Sequence, residues 1–96
     1  MKHKLVMGIQ VLPQAEDFYA VVDRAIEEIA RSGLRYEVCP METVVEGELD
    51  ELLEVAKRAH RACLEAGASR VITNIKLAER ADAQNITIGS IMEKYR

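Results

Sequence analysis

The sequence predicts an α+β fold of order β-α-β-β-α-β, and three observations carry that prediction. Two stretches show the 3.6-residue apolar period of a helix, and each is stopped by a glycine, Gly33 and Gly67. Apolar or alternating segments flank both stretches, as strands require. Between the two halves, Tyr36 to Glu46 reads as a pair of short strands turning at Pro40, Met41 and Glu42.

Taken in order, Leu5 to Leu12 is a mostly apolar run expected to end at Pro13, the pattern of a strand inside a sheet. The first helix is expected over Glu16 to Ser32, with Phe18, Val22, Ala25, Ile26 and Ile29 along one face. Glu16 and Asp17 suit the positive end of its dipole. Tyr36 to Cys39 and Thr43 to Glu46 are the hairpin strands. A second helix follows over about Glu48 to Ala66, with Leu49, Leu52, Leu53, Ala56, Ala59 and Cys63 as its stripe. Arg70 to Leu77 alternates as a fourth strand, and Asn85 to Arg96 ends in a short helix or turn carrying Ile88, Ile91 and Met92. Right-handed crossovers put both helices on one face of a four-stranded antiparallel sheet. The expectation is one ferredoxin-like domain over residues 1–96, with the other sheet face open.

Composition narrows the partners. With 49% hydrophobic and 30% charged residues the chain is in the ordinary globular class. A formal net charge of −3 offers no electrostatic footprint for a nucleic-acid backbone or an anionic membrane. The start, MKHKLVMGIQVLPQA, resembles a secretory signal, but Gln10 interrupts a short apolar run and a first strand is the better reading. No run approaches the roughly 18 apolar residues of a spanning helix. Cys39 and Cys63 lack CxxC or Cys/His spacing, so they read as two thiols in a reducing cytoplasm.

Strand alternation divides the sheet residues. Leu5, Met7, Ile9, Val11, Tyr36, Val38, Val45, Val71, Thr73, Ile75 and Leu77 are expected to face the helices. The open face then carries Val6, Gly8, Gln10, Glu37, Cys39, Val44, Glu46, Ile72, Asn74 and Lys76. Val6, Val44 and Ile72 read as a contact patch for another subunit. Gln10, Glu37, Glu46, Asn74 and Lys76 read as polar groups converging on a small ligand or an interface network, or as ordinary solvated positions. Carboxylates and an amide suit a planar amino-heterocycle or a cation better than a phosphate. Asn74 could hold an aminopyrimidine edge in bidentate fashion. Glu42, in the turn, reads as solvated.

Other chemistries of this architecture lack their residues. The loop after the first strand, VLPQAED, is acidic and has no arginine for a phosphoryl group. The aromatic residues Phe18, Tyr19, Tyr36 and Tyr95 fall mostly outside the central strands, where base stacking would need them. His3, at the terminus, and His60, at the edge of the exposed face of the second helix, read as surface histidines that no local signal brings to Cys39, and the five glycines are scattered rather than gathered in a phosphate loop. Nothing calls for a catalytic group or a cofactor.

With these residues in view, SGLRYEVCPMETVVEGELDELLEVAKRAH, SRVITNIKLAER and NITIGSIMEKYR resemble the small thiamine-binding proteins once catalogued as a family of unknown function. The T-x-x-E-G-E run at Thr43, Glu46, Gly47 and Glu48 is the most specific part. The resemblance implies a ferredoxin-like protomer assembled through its sheets into dimers or tetramers, and a pocket for thiamine or its hydroxymethylpyrimidine half. It implies sensing, carrying or buffering without established catalysis. Thr43 and Glu46 lie in the matching motif and Asn74 and Lys76 on the matching fourth strand, while Gln10 and Glu37 come from the face assignment. One departure stands out: Lys76-Leu77-Ala78-Glu79-Arg80 has alanine where the family commonly has aspartate in a K-x-D-x-R pattern. The alternative is an oligomer whose open face serves assembly alone.

Overall fold

The computed structural model describes residues 3–95, so Lys2 of the basic start and Arg96 of the expected C-terminal segment lie outside it. The elements are β1 (Leu5–Gln14), α1 (Phe18–Arg31), β2 (Tyr36–Val38), β3 (Thr43–Gly47), α2 (Leu49–Glu65), β4 (Arg70–Ala78) and α3 (Ile88–Met92), closed by a 3-10 turn at Glu93–Tyr95. The four strands form one sheet in the order β2-β3-β1-β4, with every adjacent pair antiparallel. This is the expected ferredoxin-like α+β arrangement.

Local chemistry fixes the helix ends. The Asp17 carboxylate accepts from the Ala20 amide at 3.1 Å and so caps α1. Glu51 accepts from the Glu48 amide at 3.0 Å in the first turn of α2. Both helices close on a glycine with positive φ, Gly33 at 76° and Gly67 at 104°, where a side chain would be strained.

Leu5, Met7, Ile9 and Val45 of the sheet pack with Val21, Ala25 and Ile29 of α1 and Leu52, Val55, Ala56, Ala59 and Cys63 of α2. The register pairs Met7 with Val45 and Leu77, and Gly8 with Val44 and Lys76, so the two faces divide as alternation requires. The buried faces of the helices are rotated slightly from the expected ones. Val21 and Val55 are buried, whereas Leu49 and Leu53 are exposed.

Three details depart from the sequence reading. Pro13 does not end β1 but pairs with Val71. β3 pairs only as far as Ile9, so among the described residues no strand pairs with β1 on that side at Pro13, and the missing N–H is tolerated there. Ile75 and Leu77 have the parity of the helix face but are 42% and 44% exposed, because the second half of the edge strand β4 runs beyond the cover of α2. His60 is not a surface residue: half-buried on α2, its Nδ1 lies 2.6 Å from Thr73 Oγ1 and ties the helix to β4.

The face opposite α1 and α2 is only partly open. After β4 the chain doubles back, the Ile86 amide donating to the Lys4 carbonyl at 2.9 Å, and lays α3 against that face. Ile88 is 2% exposed there and Val6 beneath is 7% exposed. Val6 is therefore covered by its own chain and is withdrawn from the subunit patch expected of it.

Candidate functional site

A cleft of about 300 Å³ runs between the open sheet face and α3. Val6 and Val44 of the sheet and Ile88, Ile91 and Met92 of the C-terminal segment make its apolar walls. Glu37, Glu42 and Lys76 supply its charged groups, and Cys39 and Ala78 complete the rim. These residues meet because the register aligns them: Glu37 opposes Val44 across β2 and β3, and Gly8 opposes both Val44 and Lys76.

Glu42 was missed by sequence reasoning. Rather than standing in solvent, its side chain folds from the β2–β3 turn back over β1. A Cβ on Gly8 would lie 2.5 Å from Glu42 Oε1 and 3.0 Å from its carboxyl carbon, so the carboxylate occupies the space that any other residue 8 would fill. Lys76 Nζ donates to Glu42 Oε2 at 3.1 Å, with the Glu42 side chain 28% exposed and that of Lys76 76%. The one signal available was the glycine itself. A glycine in a central strand weakens the sheet and often marks a close approach.

The expected site residues divide into groups. Glu37 and Lys76 line the cleft. Gln10 and Asn74 are register partners farther along the same face, where Asn74 Nδ2 donates to Gln10 Oε1 at 3.2 Å. Glu46 also belongs to that face but lies behind α3. Its Oε1 accepts from the Ile88 amide at 3.0 Å, and Lys4 and Arg35 stand 3.6 and 3.8 Å from its oxygens. Thr43 is on the other side of the sheet, 6% exposed, beside a smaller hollow of about 200 Å³ between α1 and the β2–β3 turn. The six residues do not converge on one point.

The cleft is chemically distinctive. Two carboxylates and one ammonium on an apolar ledge favour a flat, mostly apolar body carrying amino groups or positive charge. The two thiols differ as well: Cys39 is exposed at the rim, while burial pushes the Cys63 thiol up from its ordinary range. Among the described residues, no group of three or more His, Cys, Asp or Glu is placed to hold a metal ion. Among them, too, no helix is long and apolar enough to cross a membrane.

Comparison with known proteins bears on the family and the fold. A Clostridium perfringens protein of the UPF0045 group is 41% identical over 92 residues, 94% of this chain and 95% of its own. A Bacillus cereus structure of a domain of unknown function superimposes with a TM-score of 0.94 at 51% identity, covering 100% of this chain and 93% of that one. A Thermotoga maritima structure, of a candidate thiamine biosynthesis/salvage protein, gives a TM-score of 0.85 at 38% identity over 97% of this chain and 99% of that one. The family model described as thiamine-binding protein matches residues 7–96, and this chain belongs to that family.

Proposed function

We propose that the protein is a non-enzymatic cytoplasmic binding protein for thiamine or its hydroxymethylpyrimidine moiety, serving to sense, carry or buffer it. The observation that carries this reading is the cleft under α3, where an apolar ledge meets Glu37 and Glu42. Thiamine joins an aminopyrimidine to a thiazolium with a fixed positive charge. The carboxylates match the exocyclic amino group and the ring cation, and Val44, Ile91 and Met92 match the ring faces. In this reading Asn74 and Gln10, paired next along the face, would read a ring edge. Family membership supports the ligand class, and the Thermotoga relative's description ties that protein to thiamine biosynthesis or salvage.

The rest of the open face supports a second element of the reading, a homo-oligomer, dimer or tetramer, formed through sheet faces near the ligand site. Leu12 and Ile72 are register partners on that face, away from α3, and are 39% and 45% exposed. Assembly without any ligand is the competing function, favoured by the same apolar pair.

Isothermal titration with thiamine, hydroxymethylpyrimidine and thiamine phosphate separates the two. Saturable binding of thiamine or its pyrimidine half, near one per subunit or one per dimer, is expected. Silence from all three ligands with an intact oligomer would leave assembly as the function.

A further inference from the structure

We infer that the Glu42 carboxylate lying on Gly8 is the cation subsite of the cleft, and that Lys76 is a resident counter-ion which a cationic ligand displaces. The inference rests on the binding function proposed above and adds a basis for selectivity: a charged ligand is preferred over its neutral counterpart.

The two members of the Glu42–Lys76 pair are placed unequally. Glu42 is the more sheltered, its side chain 28% exposed and its carboxylate lying over Gly8, within 2.5 to 3.4 Å of where a residue-8 side chain would begin, where it lines the cleft with the apolar walls. Lys76 reaches it from the solvent side on a flexible four-carbon stem, 76% exposed. Ion pairs with so exposed a partner contribute little to stability, so the ammonium can leave at small loss. A ligand cation delivered with an apolar body gains what Lys76 cannot, because its burial against Val44, Ile91 and Met92 adds apolar contact and desolvates the new charge pair. While unoccupied, the pair keeps a partly sheltered carboxylate satisfied. A neutral pyrimidine offers no charge to exchange for the ammonium and leaves Lys76 in place.

Gly8 is the structural condition for this arrangement. It sits mid-sheet between Val44 and Lys76, where a β-branched residue would strengthen the strand. Its missing side chain is the space the carboxylate uses. Because the atoms met by an added Cβ are the far end of a flexible side chain, Gly8→Ala moves Glu42 without displacing backbone.

The test compares thiamine with neutral hydroxymethylpyrimidine by titration calorimetry on the wild type, Glu42→Gln, Gly8→Ala and Lys76→Met, with circular dichroism to verify folding. Glu42→Gln and Gly8→Ala are expected to weaken thiamine binding by roughly tenfold or more. Lys76→Met is expected to tighten it by roughly threefold, since the competing cation is gone. Binding of hydroxymethylpyrimidine should change by less than about twofold in all three variants. Wild-type binding of thiamine that is the same in Glu42→Gln and Lys76→Met overturns this inference and leaves the binding function standing. Absence of binding by the wild type to either compound overturns both.

Discussion

Glu46 and Ile88, 42 positions apart in the chain, are joined by a buried hydrogen bond in which the Ile88 amide donates to Glu46 Oε1 at 3.0 Å. The carboxylate fastens the start of α3 to the middle of the sheet, and the seated helix completes the cleft. A residue that looks like a ligand contact in the sequence is thus a clasp. Lys4 and Arg35, 3.6 and 3.8 Å away, balance its charge at the surface.

Removing this clasp should loosen α3 before it unfolds the sheet. Glu46→Ala leaves a buried amide without its acceptor and two cations without their counter-charge, a loss of about 1–3 kcal/mol. Glu46→Gln keeps an acceptor and should lose less. Hydrogen exchange at residues 86–92 is expected to accelerate in Glu46→Ala well beyond exchange in β1, and thiamine affinity to fall because Ile91 and Met92 no longer wall the cleft. Uniform acceleration over the whole chain would show that α3 and the sheet are a single cooperative unit.

The same residue shows what a sequence can and cannot disclose. Strand parity was readable throughout: Met7 and Val45 face inward and Gly8, Val44 and Lys76 outward because side chains alternate whatever the tertiary context. Gly33 and Gly67 announced the helix ends because their positive φ is a local demand. The covering of the open face was not readable, since Ile88, Ile91 and Met92 say that a short segment must dock but not where. Glu42 escaped for a similar reason, as the direction of a turn side chain is set by the space above a strand distant in sequence. The T-x-x-E-G-E run was conspicuous, yet Glu46 is a clasp, Glu48 lies in the first-turn cap of α2, and Thr43 is buried against the helices.

The two cysteines give a probe of both burial and occupancy. Cys63 is 0% exposed and burial raises its thiol above the ordinary 9.0, whereas Cys39 is exposed at the rim of the cleft. A thiol reagent should therefore label Cys39 alone in the native protein, and saturating thiamine should slow that reaction. The native state binds the Cys63 proton more tightly than the unfolded chain does, so its contribution is fully present below pH 9.0 and is lost as pH rises through the higher native value. Thermal melts should show alkaline destabilisation above that pH which is smaller in Cys63→Ala. Rapid labelling of both cysteines in the folded protein would contradict the packing of α2.

Leu12 and Ile72 face the same way from adjacent strands, beyond the reach of α3, and each is more than a third exposed. Burying such a side chain from full exposure is worth about 1.5–3 kcal/mol, so covering the 39% and 45% still open is worth roughly 1 kcal/mol each, and two pairs meeting across a two-fold axis would add a few kcal/mol to a dimer. A lysine at position 72 would set like charges face to face across that axis and oppose association. Ile72→Lys is therefore expected to reduce the mass in solution, read by light scattering, toward the 10.8 kDa of one chain while the melting temperature of the fold changes little. If thiamine binding weakens together with the mass, the neighbouring subunit helps form the site. If binding is retained by the monomer, the cleft under α3 is sufficient on its own. An unchanged mass would move the association surface elsewhere, with the exposed Ile75 and Leu77 on the other side of β4 the next residues to substitute.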